Sequence, residues 1–186
     1  MANHEQKDYS DALDVYMALS RTKDGQKAQC FRVVAKNPGR DLQILEYRAR
    51  IAGGKWRIHK TVNKRDTEKA RKWLLKKLID YPEGRGFVDS LWRTALLQPE
   101  CVHGEKKFLL DVDTKNKEEL DVVRGYIGDH LIEEIETENG YHFITKPHDT
   151  RMVCELKYVE LIRDGYSYVK TIESSLSQDK KEETNG

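Results

Sequence analysis

The sequence predicts an α+β fold: a mainly antiparallel sheet with helices packed on it, built as an αβ N-terminal module followed by an RRM-like half. Three observations carry that expectation. Short apolar runs are separated by Asn37-Pro38-Gly39 and Gly53-Gly54, which read as turns between strands. Residues 67–80 place Ala70, Trp73, Leu74 and Leu78 on one helical stripe. After residue 107 the order is strand, helix, strand, strand, the pattern of helices lying on an antiparallel sheet.

Taken in order, Ser10 reads as the cap of a short helix in which Leu13, Tyr16 and Met17 share a face. Strands are expected at 29–35, 42–51 and 55–62, forming an antiparallel meander. Asp66 caps the helix at 67–80, and Pro82, Gly84 and Gly86 make 81–87 a loop. A short helix follows at 88–97. The next strand ends in Asp111-Val112-Asp113, and 115–130 reads as a helix with Leu120, Val123 and Ile127 inward. Strands are expected at 131–137, 141–145, 156–162 and 167–172. The polar segment 174–186 is expected to be a disordered tail.

The bulk numbers bound the function. A chain of 186 residues suits one domain over 1–173, with the N-terminal module over about 10–98 and the second half over about 99–173. Apolar content of 38% suffices for a core, whereas 35% charged residues must lie mostly on the surface. With 33 basic against 32 acidic residues the net charge is +1, which argues against a simple cationic coat for nucleic acid and leaves room for a local basic face. Cys30, Cys101 and Cys154 are widely spaced without a CxxC, so they read as reduced thiols and not as a structural zinc site. No apolar stretch approaches the roughly 18 residues of a membrane span. The N-terminus lacks the apolar core of a signal peptide, so the expectation is a soluble, cytoplasmic protein with no membrane partner.

The chemistry concentrates in Lys106-Lys107-Phe108-Leu109-Leu110-Asp111-Val112-Asp113. Side chains two apart on a strand share a face, so Asp111 and Asp113 aim the same way from the rim of the core. Adjacent carboxylates repel, and a divalent cation between them is the common remedy. The competing reading is a solvated turn or a cap for the next helix, a task Thr114-Lys115-Asn116-Lys117 could take over. His142 follows a turn in the strand 141–145, where Gly140 allows a ligand to approach the backbone and Lys146 lies four residues on. A histidine and a lysine near a metal-binding carboxylate pair suit a nucleoside triphosphate. A structural histidine is the alternative. For a third carboxylate the strand Tyr158-Val159-Glu160-Leu161-Ile162-Arg163-Asp164 offers Glu160, costly among apolar neighbours unless paired, and Asp164, which with Gly165 equally suits a hairpin turn. The basic run His59-Lys60-Thr61-Val62-Asn63-Lys64-Arg65 ahead of a helix start suits phosphates of substrate or template, with Lys64 and Arg65 as contacts; a solvated helix face is the alternative. Trp56, Tyr47 and Trp92 offer stacking surfaces for bases, with the core as the competing assignment.

An apolar strand into Asp111-x-Asp113, then Gly140-x-His142, then a late acidic strand, resembles the three ordered motifs of the archaeo-eukaryotic primase (primase-polymerase) superfamily. The segment 57–66 followed by a helix also resembles the N-terminal module of small phage-type members. The resemblance covers residues 29–172. It implies template-dependent nucleotidyl transfer from NTP or dNTP, with Asp111, Asp113 and either Asp164 or Glu160 holding Mg²⁺ or Mn²⁺. It implies that His142, helped by Lys146, contacts the nucleotide phosphates. The implied partners are nucleoside triphosphates, single-stranded or primed nucleic acid and other replication proteins, in a bacterial or phage-infected cytosol. Departures are the short interval from His142 to the third acidic residue and the lack of a zinc module or helicase region. Two other readings stay open: a non-catalytic module that binds single-stranded nucleic acid, and a metal-dependent nuclease or phosphoesterase using the same carboxylates. His59-x-Thr61 has the form of one half of a two-histidine phosphoesterase motif, but His142-Phe143-Ile144-Thr145 is out of register for the second.

Overall fold

A computed structural model of the chain describes residues 12–20 and 29–174. The expected cap Ser10 and the tail beyond Ser174 lie outside the described residues. The fold is α+β, with two antiparallel sheets and four α-helices among the described residues.

The first sheet has the order β2-β1-β3-β9, where β1 is Ala12–Ser20, β2 Gln29–Ala35, β3 Gly54–Thr61 and β9 Tyr166–Ser174. A two-residue strand, β4 (Arg65–Asp66), also pairs with β1. The helix expected around Leu13, Tyr16 and Met17 is therefore a strand. The run Ala-Leu-Asp-Val-Tyr-Met-Ala-Leu is apolar at almost every position, so helical and strand periods fit it equally. Its pairing with β2 on one side and β3 on the other decides for the strand, with Tyr16 and Ala18 buried on one face and Val15 on the other.

The strand expected at 42–51 is instead helix α1, Pro38–Ala52, so the meander is interrupted. Asn37 Oδ1 accepts from the Arg40 N–H, Asp41 Oδ2 accepts from the Asn37 N–H, and Pro38 opens the first turn. Asn37-Pro38 was thus a helix start rather than a turn. Leu45 and Ala49 of α1 bury against Tyr16, Ala18, Trp56, Ile58 and Ile172 on one face of the first sheet.

The helix at 67–80 forms as expected, as α2 (Thr67–Asp80), with Asp66 Oδ1 accepting from the Lys69 N–H. With α3 (Val88–Leu96) it covers one end of the sheet's other face, where Val15, Ala70, Ala95, Leu96 and Cys101 pack together. The rest of that face carries Met17, Leu19, Arg57, His59 and Tyr168 and stays open.

The second sheet has the order β6-β7-β5-β8, with β5 Phe108–Val112, β6 Leu131–Glu136, β7 Tyr141–Thr145 and β8 Val159–Ile162. Numbered within this half the order is 2-3-1-4, that of an RRM sheet, with the second helix reduced to a 3-10 turn at Val153–Glu155. Helix α4 (Lys117–Ile127) is capped by Asn116, whose Oδ1 accepts from the Glu118 N–H. Capping this helix is therefore not the task of Asp111 or Asp113. Leu120, Val123 and Ile127 of α4 cover Leu110, Val112 and Phe143 on one face of the sheet. The opposite face carries Leu109, Ile144 and the half-buried Ile162, which pack with Val62 from the N-terminal module.

The last strand does not stay in the RRM-like half. β9 returns to the first sheet and pairs with β3 along its length, from Gly54 opposite Ser174 to Thr61 opposite Tyr166. The two sheets are thereby tied together, with the Val62 N–H donating to the Gly165 carbonyl at 3.0 Å. Among the described residues no helix is long and apolar enough to cross a membrane.

Candidate functional site

The pairing of β5 sets the site. Asp111 lies opposite His142 on β7 and opposite Glu160 on β8. Directly opposed residues in an antiparallel sheet share a face, so these three form a polar row beside the apolar row of Leu109, Ile144 and Ile162. Asp113, two residues beyond Asp111, leaves the end of the strand on the same side.

This polar end faces the open part of the first sheet across a cleft of about 490 Å³. Asp111, Asp113 and His142 form one wall, and Lys55, Arg57 and His59 from β3 form the other. The three basic residues alternate along β3 and so project together. Met17 and Leu19 of β1 lie beside His59 and Arg57, Tyr168 of β9 lies on the other side of His59, Tyr166 also lines the cleft, and the β6–β7 turn Thr137-Glu138-Asn139 closes the rim. Burial pushes the Tyr166 phenol above its ordinary value, more than any nearby charge does.

His142 is buried and held from behind. The Tyr168 backbone N–H, on the edge strand β9, donates to His142 Nδ1 at 3.0 Å. An N–H needs a lone pair to receive it, so the proton of the neutral ring sits on Nε2. Nε2 lies 3.4 Å from Asp111 Oδ1, too long for a strong hydrogen bond and short enough to orient the ring. The result is a fixed N–H donor directed into the carboxylate end of the cleft.

The opposite wall is already paired. Glu138 accepts from Lys55 Nζ and from an Arg57 guanidinium nitrogen, each at 2.6 Å. These bonds, Lys55 first and Arg57 second, hold the Glu138 carboxyl below its ordinary value. Its bond to Lys55 in turn raises the ammonium.

Several expected site residues lie elsewhere. Asp164 does not reach the cleft: Arg65 grips both its oxygens, at 2.7 and 2.9 Å, and Asn63 donates to it at 3.2 Å. Arg65 is 1% exposed, so it is a buried partner of Asp164 and not a phosphate contact. Asn63 also exchanges bonds with the Lys107 backbone, which ties the 62–65 segment to the start of β5. Glu160 lies in register with Asp111, on an outer strand and outside the cleft lining. Lys64 and Lys146 are exposed and also outside it. Gly140 serves the backbone and not a ligand: a Cβ there would lie 1.9 Å from the Val112 carbonyl oxygen. Trp56 is buried and stacks on Phe31 at 4.9 Å, Trp92 packs with the α2–α3 cluster, and Tyr47 is exposed on α1 rather than in the core.

The basic run from His59 to Arg65 leaves out Lys55 and Arg57, which line the cleft ahead of it. The signal was present: cations at 55, 57 and 59 alternate in a segment already read as a strand. Glu138 carried no comparable signal, since its role depends on which strand faces the turn. Comparisons with protein-family models, with curated proteins and with solved structures found no match.

Proposed function

We propose that the chain is a primase-polymerase-like nucleotidyltransferase whose cleft between the two sheets takes a nucleoside triphosphate. The observation that supports this reading is the opposition of two walls: Asp111, Asp113 and the His142 donor on one, Lys55, Arg57 and His59 on the other. A volume of about 490 Å³ falls in the range of small-molecule pockets and leaves room for a nucleotide.

Asp111 and Asp113 suit Mg²⁺ or Mn²⁺, because such ions are commonly held by one or two carboxylates and complete their shell with phosphate oxygens and water. Among the described residues no group of three metal-ligating side chains is assembled, and Asp164 is committed to Arg65. The fit is therefore to a two-carboxylate site and not to the three-carboxylate site that the family resemblance implies. When bound, the ion would neutralise phosphate charge and activate the attacking hydroxyl.

The chain's own groups do the rest. His142 donates from Nε2 to a phosphate oxygen, held in direction by the Tyr168 N–H behind it. Lys55 supplies a compact positive charge and Arg57 a planar fork suited to phosphate. Met17, Leu19, Tyr166 and Tyr168 give the base and sugar apolar and aromatic surface.

The test is incorporation of labelled NTP or dNTP on primed and unprimed templates with Mn²⁺. The expected result is product with the wild type and none with Asp111→Ala plus Asp113→Ala, both proteins being folded. No incorporation by a wild type that binds single strands would replace this reading with the binding module. Degradation of labelled strand without added nucleotide would replace it with a nuclease.

A further inference from the structure

Lys55 and Arg57 meet one carboxylate from the other half of the molecule. Glu138 sits on the turn between β6 and β7, closed by the Thr137 N–H to the Gly140 carbonyl at 2.8 Å and the Gly140 N–H to Thr137 Oγ1 at 3.1 Å. From there it reaches across the cleft to β3. The side chains of Lys55, Arg57 and Glu138 are 45%, 36% and 42% exposed, so water reaches all three. Lys55 has a second, looser partner in Glu173 of β9 at 3.7 Å.

Two features set this cluster apart from an ordinary surface ion pair. It lines the same cleft as Asp111, Asp113 and His142. It also joins two cations, one of them a guanidinium, through the one carboxylate of Glu138, a bridging place that a phosphate with three oxygens fills better. Half-exposed pairs are worth little individually, so exchange for a more highly charged anion is easy.

We infer that Glu138 is an internal stand-in for the substrate's terminal phosphates, occupying the Lys55–Arg57 anion site and leaving it when a polyphosphate binds. This rests on the proposed triphosphate cleft and adds which residues receive the distal phosphates and what they must first release. Glu138 then sets affinity by competition: it keeps the two cations paired in the free protein and raises the concentration of polyphosphate needed to fill the site.

The probe is inorganic triphosphate without metal, measured by calorimetry on the full chain. Glu138→Gln is expected to bind it about 3- to 10-fold more tightly than wild type, the scale of two half-exposed ion pairs. Arg57→Ala is expected to lose that gain in the Glu138→Gln background. Glu136→Gln removes a neighbouring exposed carboxylate that pairs with Lys115 instead, and should leave affinity unchanged. An equal gain from Glu136→Gln would mean a general charge effect and overturn the inference, as would a Glu138→Gln protein that binds no tighter than wild type. Tighter binding by Glu138→Gln with no nucleotide incorporation by wild type would keep the anion site and remove the polymerase reading. Incorporation by wild type with no change on Glu138→Gln would do the reverse.

Discussion

The two sheets meet through two sets of opposite charges, and their difference separates structural from functional charge in this protein. In the Asn63–Arg65–Asp164 clip the guanidinium is 1% exposed and the carboxylate 22% exposed, with both carboxylate oxygens engaged. In the cleft, Lys55, Arg57 and Glu138 are all more than a third exposed, and Asp111 and Asp113 stand opposite in the same space. A carboxylate whose two oxygens are both held by a buried guanidinium is not free to take a cation. An open cluster exchanges its partner at little cost.

The sharpest way to break that comparison is Asp164→Ala. It leaves the buried Arg65 guanidinium without its carboxylate, and such losses cost about 3–5 kcal/mol. Chemical denaturation should show a drop of that size; a drop under about 1 kcal/mol would mean that Asp164 is free for other work.

Gly140→Ala comes next. Its Cβ would lie 1.9 Å from the Val112 carbonyl oxygen and 2.9 Å from the Thr114 nitrogen, both backbone atoms. The end of β5 must shift, at about 1–3 kcal/mol for an overpacked site. Because Asp111 and Asp113 flank Val112, the variant should lose incorporation activity even where it remains folded. Full activity would detach the cleft from the geometry of the β5 end.

Replacing Asp111 and Asp113 with Asn should change stability without metal by no more than about 0.5 kcal/mol, since mutual repulsion is removed along with the charge. Added Mn²⁺ should raise the melting temperature of the wild type and not of this variant. An equal rise in both would remove the metal assignment.

The smallest effect concerns pH. Lys55, then Arg57, hold the Glu138 carboxyl below its ordinary value of 4.5. A carboxylate with a lowered folded pKa stabilises the fold above its unfolded value, and that contribution is lost as pH falls through the folded one. The melting-temperature difference between wild type and Glu138→Gln should therefore be constant above pH 4.5 and shrink below it. A difference that grows on acidification would contradict the pairing.

Local pattern made much of the fold legible. Asp66 and the stripe of Ala70, Trp73, Leu74 and Leu78 located α2, while a short apolar run located β5 and the Asn139-Gly140 turn located β7. Two elements differ from what local pattern predicts, for different reasons. At 12–20 the residues are apolar at almost every position, so no local period exists to choose between helix and strand. At 38–52 the signals did exist, in the Asn37 cap, Pro38, and Leu45 and Ala49 four apart, but Asn-Pro-Gly also spells a turn.

By itself, then, the sequence determined which side chains share a strand face: Asp111 with Asp113, and Lys55 with Arg57 and His59. It also determined that His142 follows a turn and that Gly140 tolerates a close approach. Periodicity and steric demand are local, so they are written along the chain. Only the tertiary structure decided which carboxylate meets which cation. The return of β9 to the first sheet put the Tyr168 N–H behind His142 and set Glu138 against Lys55 and Arg57, and the same closure committed Asp164 to Arg65. Such pairings join residues tens of positions apart, and burial, which separates a clip from a site, exists only once the sheets have met.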